Sequence, residues 1–153
     1  MKEEFLKYIL PNGIKAIHKR TKSPVVHCAM IINTGSRDEL KGEFGMAHLV
    51  EHTIFKGTEH RRAYHINCRL ENLGGELNAY TSKEETVIQT TSLTADFSKA
   101  VELVADILFH SVFPGAEVEK EKEVIFDEIN MYKDTPSERI YDDFEDLIFA
   151  GSS

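Results

Sequence analysis

Apolar and charged positions alternate in two short runs, residues 5–10 and 14–18, on either side of Pro11-Asn12-Gly13. A turn of that composition between two extended runs predicts a β-hairpin. Residues 25–32 are nearly continuously apolar, β-branched at both ends, and stop at Thr34-Gly35; they read as a central strand covered on both faces. Residues 44–55 are apolar almost all round and end at Lys56-Gly57, the pattern of a buried helix. A second helix is predicted over residues 63–73, closed by Gly74-Gly75, then two strands over 76–80 and 85–92, the latter rich in Thr and Val. Thr94 is placed to cap a helix with Phe97, Val101, Val104 and Leu108 on one stripe, stopped by Pro114-Gly115. A long helix follows over about residues 116–133, and Pro136 opens a last one with Ile140, Phe144 and Leu147 at helical spacing. Strands first, mixed elements next and a helical end predict an α+β fold, mainly antiparallel sheet packed against helices.

The 153 residues make one domain's worth of chain, and 41% hydrophobic with 29% charged residues is the balance of a soluble globular protein. No stretch approaches the ~18 consecutive apolar residues of a membrane span, and charges interrupt the N-terminal apolar residues where a secretory signal would need a core. Cys28 and Cys68 are too few for a disulfide framework and form no C-x-x-C pair, so a reducing, cytoplasmic setting is expected. Both read as small core residues. The net charge is −8, and residues 115–146 carry it, with twelve Asp or Glu against four Lys or Arg. Without a basic footprint, nucleic-acid binding is not expected; the acidic segment reads as a solvated helix face or a surface for basic peptides. There is no internal repeat or linker, and the chain stops straight after an apolar run, so residues 1–153 read as a single domain cut from a longer protein.

The candidate chemistry is concentrated in His48-Leu49-Val50-Glu51-His52. Residues four apart on a helix share a face, so His48 and His52 can offer two imidazoles to one metal ion. Glu51, on the adjoining edge, can reach a water at that ion without ligating it. The order is the H-x-x-E-H of one class of zinc peptidases. Two histidines leave the set incomplete, since a catalytic zinc takes three protein ligands and an open position. In the long helix Val118, Ile125 and Tyr132 recur every seven residues and mark a buried side, and Glu121 and Glu128 fall on that side too. Carboxylates there are costly unless paired or bound to a cation, so either can complete the site. His27, His60, His65 and His110 read as surface or helix-end residues.

The motif and its surroundings resemble the pitrilysin or insulinase family of zinc metallopeptidases. The family pattern places a glutamate ligand some seventy-six residues after H-x-x-E-H, and Glu128 stands 76 residues after His52. Thr34-Gly35-Ser36-Arg37-Asp38-Glu39, the stretch from Gly45 to Thr58, and that from Leu73 to Thr86 carry the likeness across the whole chain. The resemblance implies a metallohydrolase sandwich of the mitochondrial-processing-peptidase type and a zinc endopeptidase acting on peptides or unfolded polypeptides. It implies Zn²⁺ held by His48, His52 and Glu128, with Glu51 as general base and Glu121 orienting a histidine or a water from behind the ligands. Asn78, Ala79 and Tyr80 would form a strand edge that pairs with the substrate backbone. Phe55 would wall the substrate pocket, although core packing suits it equally. Family members enclose substrate between two related halves, so a homologous second half or partner subunit is expected. S-ribosylhomocysteine lyase shares the helix motif, but its third ligand is a cysteine, and the only one after His52 is Cys68, inside a predicted helix. Some members of the family are silent subunits; on that alternative the chain would be a non-catalytic subunit or an inactive zinc-binding fragment needing a partner.

Overall fold

The structure is a computed structural model and describes residues 5–150; residues 1–4 and 151–153, on which the signal-sequence and broken-end readings partly rest, lie outside them. β1 (Phe5–Ile9) and β2 (Lys15–Lys19) form the expected antiparallel hairpin, with Phe5 opposite Lys19 and Ile9 opposite Lys15. Gly13 takes a φ of 89° at the turn, and the Leu10 amide donates to the Ile14 carbonyl at 2.8 Å. Such a left-handed φ costs glycine almost nothing.

Three longer strands make the main sheet: β3 (Val25–Ile32), β4 (Glu76–Thr81) and β5 (Thr86–Leu93), all antiparallel in the order β3-β5-β4. The lateral centre is therefore β5 and not residues 25–32, which lie at an edge. An apolar run reports what covers a strand's faces and is silent about its lateral neighbours. Even the faces of β3 are unequal, with Ile31 62% exposed. In β5, Val87, Ile88, Thr90 and Ser92 are all buried, so side chains are covered on both faces.

The helices are α1 (Met46–Thr53), α2 (Ala63–Glu71), α3 (Phe97–His110), α4 (Gly115–Lys133) and α5 (Pro136–Phe149). The core joins Ile54 at the end of α1, Ile66 and Leu70 of α2, Ile88 of β5, and Ala100, Leu103, Val104 and Ile107 of α3. The buried stripe of α3 is thus turned from the expected one: Phe97 and Val101 are exposed, and Leu108 packs at the margin. Thr94 does not cap this helix; it begins a short 3₁₀ turn, and its hydroxyl donates to the Pro24 carbonyl at 2.9 Å, tying the turn to the start of β3. α1 is shorter than residues 44–55, and Phe44 outside it is largely exposed. Cys28 and Cys68 are free and half-buried, and burial pushes the Cys28 thiol up. Gly75 lets α2 close on β5, because a Cβ there would sit 2.7 Å from the Thr91 carbonyl oxygen. No described helix is long and apolar enough to cross a membrane.

Candidate metal centre

A helix that presents ligands must itself be held, and α1 is short and starts at Gly45, whose φ is 90°. Its first amides are met by the Glu39 carboxylate, which accepts from the Gly45 N–H at 2.8 Å and the Ala47 N–H at 2.7 Å. A carboxylate here satisfies donors that have no partner within the helix and faces the positive end of its dipole. Glu39 stands in a quoted motif, yet the sequence assigned it no role; an acidic residue shortly before a glycine-started helix was the available signal.

α1 packs against α4, and that contact assembles the site. His48 Nε2 and His52 Nε2 are 3.1 Å apart, and Glu128 Oε2 lies 3.6 Å from the first and 3.3 Å from the second. Three donors around a zinc ion at ~2.0–2.1 Å stand about 3.3–3.4 Å from one another in tetrahedral geometry. The triangle has the dimensions of one face of such a tetrahedron. Two imidazoles and a carboxylate are also a donor set that suits zinc. His48 and Glu128 are each 42% exposed at the side chain, which leaves the outer side open.

Behind this face, His52 Nδ1 meets Glu121 Oε2 at 3.2 Å, and Lys56 Nζ meets the other Glu121 oxygen at 2.6 Å. Burial works against a charge on Glu121, but the bonds from Lys56 and His52 outweigh it and hold the carboxyl below the usual range. An ionised Glu121 accepts from His52 Nδ1–H, so the lone pair of a neutral imidazole sits on Nε2, facing the triangle. Lys56 was not anticipated, because its role depends on a contact across 65 residues of chain.

Glu51 is half-buried on α1 beside His52 and takes no part in the ion pairs of this cluster. The structure therefore gathers His48, His52, Glu121 and Glu128, with Glu51 adjoining. Phe55 is partly buried against the core cluster. Asn78 and Tyr80 lie on the exposed face of β4, and Ala79 packs toward the core. Among the described residues β4 pairs only with β5, so its other edge has no strand partner, and α1 packs against β4. An open hollow of about 750 Å³ runs from His48 and Glu128 between α4 and α5, past Tyr132 and Arg139.

The fold is α+β, with an H-x-x-E-H helix packed against a helix that carries carboxylates. Residues 15–150 match the family described as Insulinase (Peptidase family M16), and the chain belongs to that family. It is 37% identical over 139 residues to "Uncharacterized zinc protease YmxG" of Bacillus subtilis, covering 89% of this chain and 34% of that one. It is 36% identical over 143 residues to the mitochondrial-processing peptidase subunit beta of Saccharomyces cerevisiae, covering 92% and 30%. A protease from Helicobacter pylori of known crystal structure superposes with a TM-score of 0.85 at 27% identity, over 91% of this chain and 34% of that one. The chain thus spans about a third of the length of the relatives it matches.

Proposed function

We propose that this chain is the metal-holding, catalytic part of a zinc-dependent endopeptidase. The observation that carries the reading is the 3.1–3.6 Å triangle of His48, His52 and Glu128, supported by relatives named zinc proteases. Those three side chains would hold Zn²⁺, which when bound supplies Lewis acidity toward a peptide carbonyl and water. Glu51 takes the proton of the attacking water and returns it to the leaving amine as the C–N bond breaks. Glu121 keeps the His52 ring in the tautomer that ligates. The substrate would be a peptide or unfolded polypeptide laid in extended form along β4 at Asn78, Ala79 and Tyr80, bound by main-chain hydrogen bonds. Phe55 has a place in the pocket wall by family resemblance alone, and its observed contacts are those of core packing.

A homologous second half or partner subunit would complete the substrate enclosure. The apolar stripe of α5 favours this: Ile140, Phe144 and Leu147 are all exposed. Free thiols at Cys28 and Cys68 suit a reducing, cytoplasmic setting.

Elemental analysis after gel filtration in metal-free buffer tests the metal assignment, and peptide hydrolysis with the second half present tests the chemistry. One tightly held zinc per chain is expected, lost in His52→Ala and in Glu128→Ala. Glu51→Gln should keep the zinc and lose hydrolysis by about 10²–10⁴-fold. A folded wild-type chain without zinc, or a Glu51→Gln variant of full activity, would contradict the reading.

A further inference from the structure

Just past α1 the chain makes two isolated bridges, Gly57 with Arg62 and Thr58 with Ser111 at the end of α3. The Glu59 amide donates to the His110 carbonyl at 2.9 Å, and the Thr58 amide to the Arg61 carbonyl at 2.8 Å. These main-chain bonds fix Glu59, His60 and His110 on one patch. Their ligating atoms all lie within 4.8 Å of one another. The two rings meet edge to face at 4.7 Å between centroids, and His110 Nδ1 is 3.4 Å from Glu59 Oε2.

A buried group stands behind this patch. Asp106 of α3 is only 5% exposed, and its carboxylate accepts from His60 Nδ1 at 2.6 Å, from the Thr58 hydroxyl at 2.9 Å and from Arg61. Burial raises a carboxyl, yet those three hydrogen bonds prevail and hold Asp106 below the usual range. With Nδ1 committed to a buried carboxylate, the neutral His60 ring has Nε2 to offer outward. A carboxylate behind a histidine is the support that metal-ligating imidazoles characteristically receive, and Glu121 gives the same support to His52.

We propose that Glu59, His60 and His110 form a second divalent-cation site, suited to zinc, with water in the remaining position and Asp106 as the residue that orients His60. Glu59 is exposed and long enough to close the gap between 4.8 Å and the ~3.4 Å separation of tetrahedral ligands by rotation about its side-chain bonds, while Asp106 holds the His60 ring in place. The same exposure makes the site weaker than the His48–His52–Glu128 centre.

Titration of Zn²⁺ into the metal-free chain against a chromophoric chelator tests this independently of any hydrolysis. Wild type should take up two equivalents, the second at least tenfold weaker than the first. His60→Gln and His110→Gln should each lose the weaker equivalent and keep the tighter one, while His48→Ala should do the reverse. Both glutamine substitutions fall on half-exposed side chains, and unchanged far-ultraviolet circular dichroism in chelator checks their folding. Equal zinc uptake by wild type, His60→Gln and His110→Gln overturns the proposal, whatever becomes of the first site.

Discussion

Glu121 touches two residues and settles the state of one of them. Its oxygens are divided between Lys56 and His52, so the carboxylate fixes the tautomer of a ring whose other nitrogen belongs to the donor triangle. Glu121→Gln keeps the shape and removes the charge. The expected outcome is a 10–100-fold loss of zinc affinity with the fold intact, the usual size of such an effect, read by chelator competition; unchanged affinity would assign Glu121 to packing alone. At this scale the sequence was informative wherever chemistry follows spacing. The His48–His52 pair sits one helical turn apart, and Glu121 and Glu128 sit two turns apart on the side marked by Val118, Ile125 and Tyr132. It was silent on Lys56 and Asp106, whose partners are chosen by tertiary contact: Asp106 meets His60 and Arg61 more than forty residues away.

Among the elements, α1 depends on its beginning. It has only eight residues, too few to be stable on helix propensity, and Glu39 supplies the acceptor its first amides lack. Glu39→Ala should lower stability by about 0.5–2 kcal/mol, the usual cost of losing a helix cap, measured as a fall in Tm, and should weaken zinc binding with it. A variant with unchanged Tm would show that packing alone holds α1. Between α4 and α5, the Tyr132 hydroxyl donates to Asp142 at 2.7 Å and to the Glu138 carbonyl at 3.1 Å. The bond to Asp142, with partial desolvation adding, pushes this phenol up to about 12. A folded value raised above the ordinary ~10 means the latch is fully present below pH ~10 and is lost as pH rises through about 12. Ultraviolet titration should show a late-ionising tyrosine that is absent from Tyr132→Phe. Element types were legible along the described chain because each follows from local periodicity. Relations between elements were not: the edge position of β3 is set by pairing, and the buried stripe of α3 by the rotation at which it meets the sheet.

At the scale of the whole molecule, α5 carries an apolar stripe that none of the described residues buries. Ile140, Phe144 and Leu147 on α5 are 59–77% exposed, although their helical spacing alone would place them in a core. Phe144→Asp with Leu147→Asp should leave the Tm of this chain nearly unchanged, since exposed substitutions usually stay within about 0.5 kcal/mol each. The pair should abolish co-elution with a homologous second half supplied as a separate chain. Undiminished association would place the interface elsewhere. The likeness to solved structures could be anticipated from the H-x-x-E-H helix and Glu128; the uncovered face could not, because a hydrophobic stripe does not tell whether its cover comes from the same chain.

The donor triangle has a mechanical side as well. His52 and Glu128 stand 76 residues apart in sequence and 3.3 Å apart in space, so an ion shared between them fastens a loop that includes α2, α3, β4 and β5. Such a staple holds only in the folded chain, where α1 and α4 already meet, so binding draws the equilibrium toward the folded state. Free zinc at a thousand times its dissociation constant would add about 4 kcal/mol to the folded state. The local zinc supply would then set how long the folded chain survives proteolysis, independently of any bond it cuts.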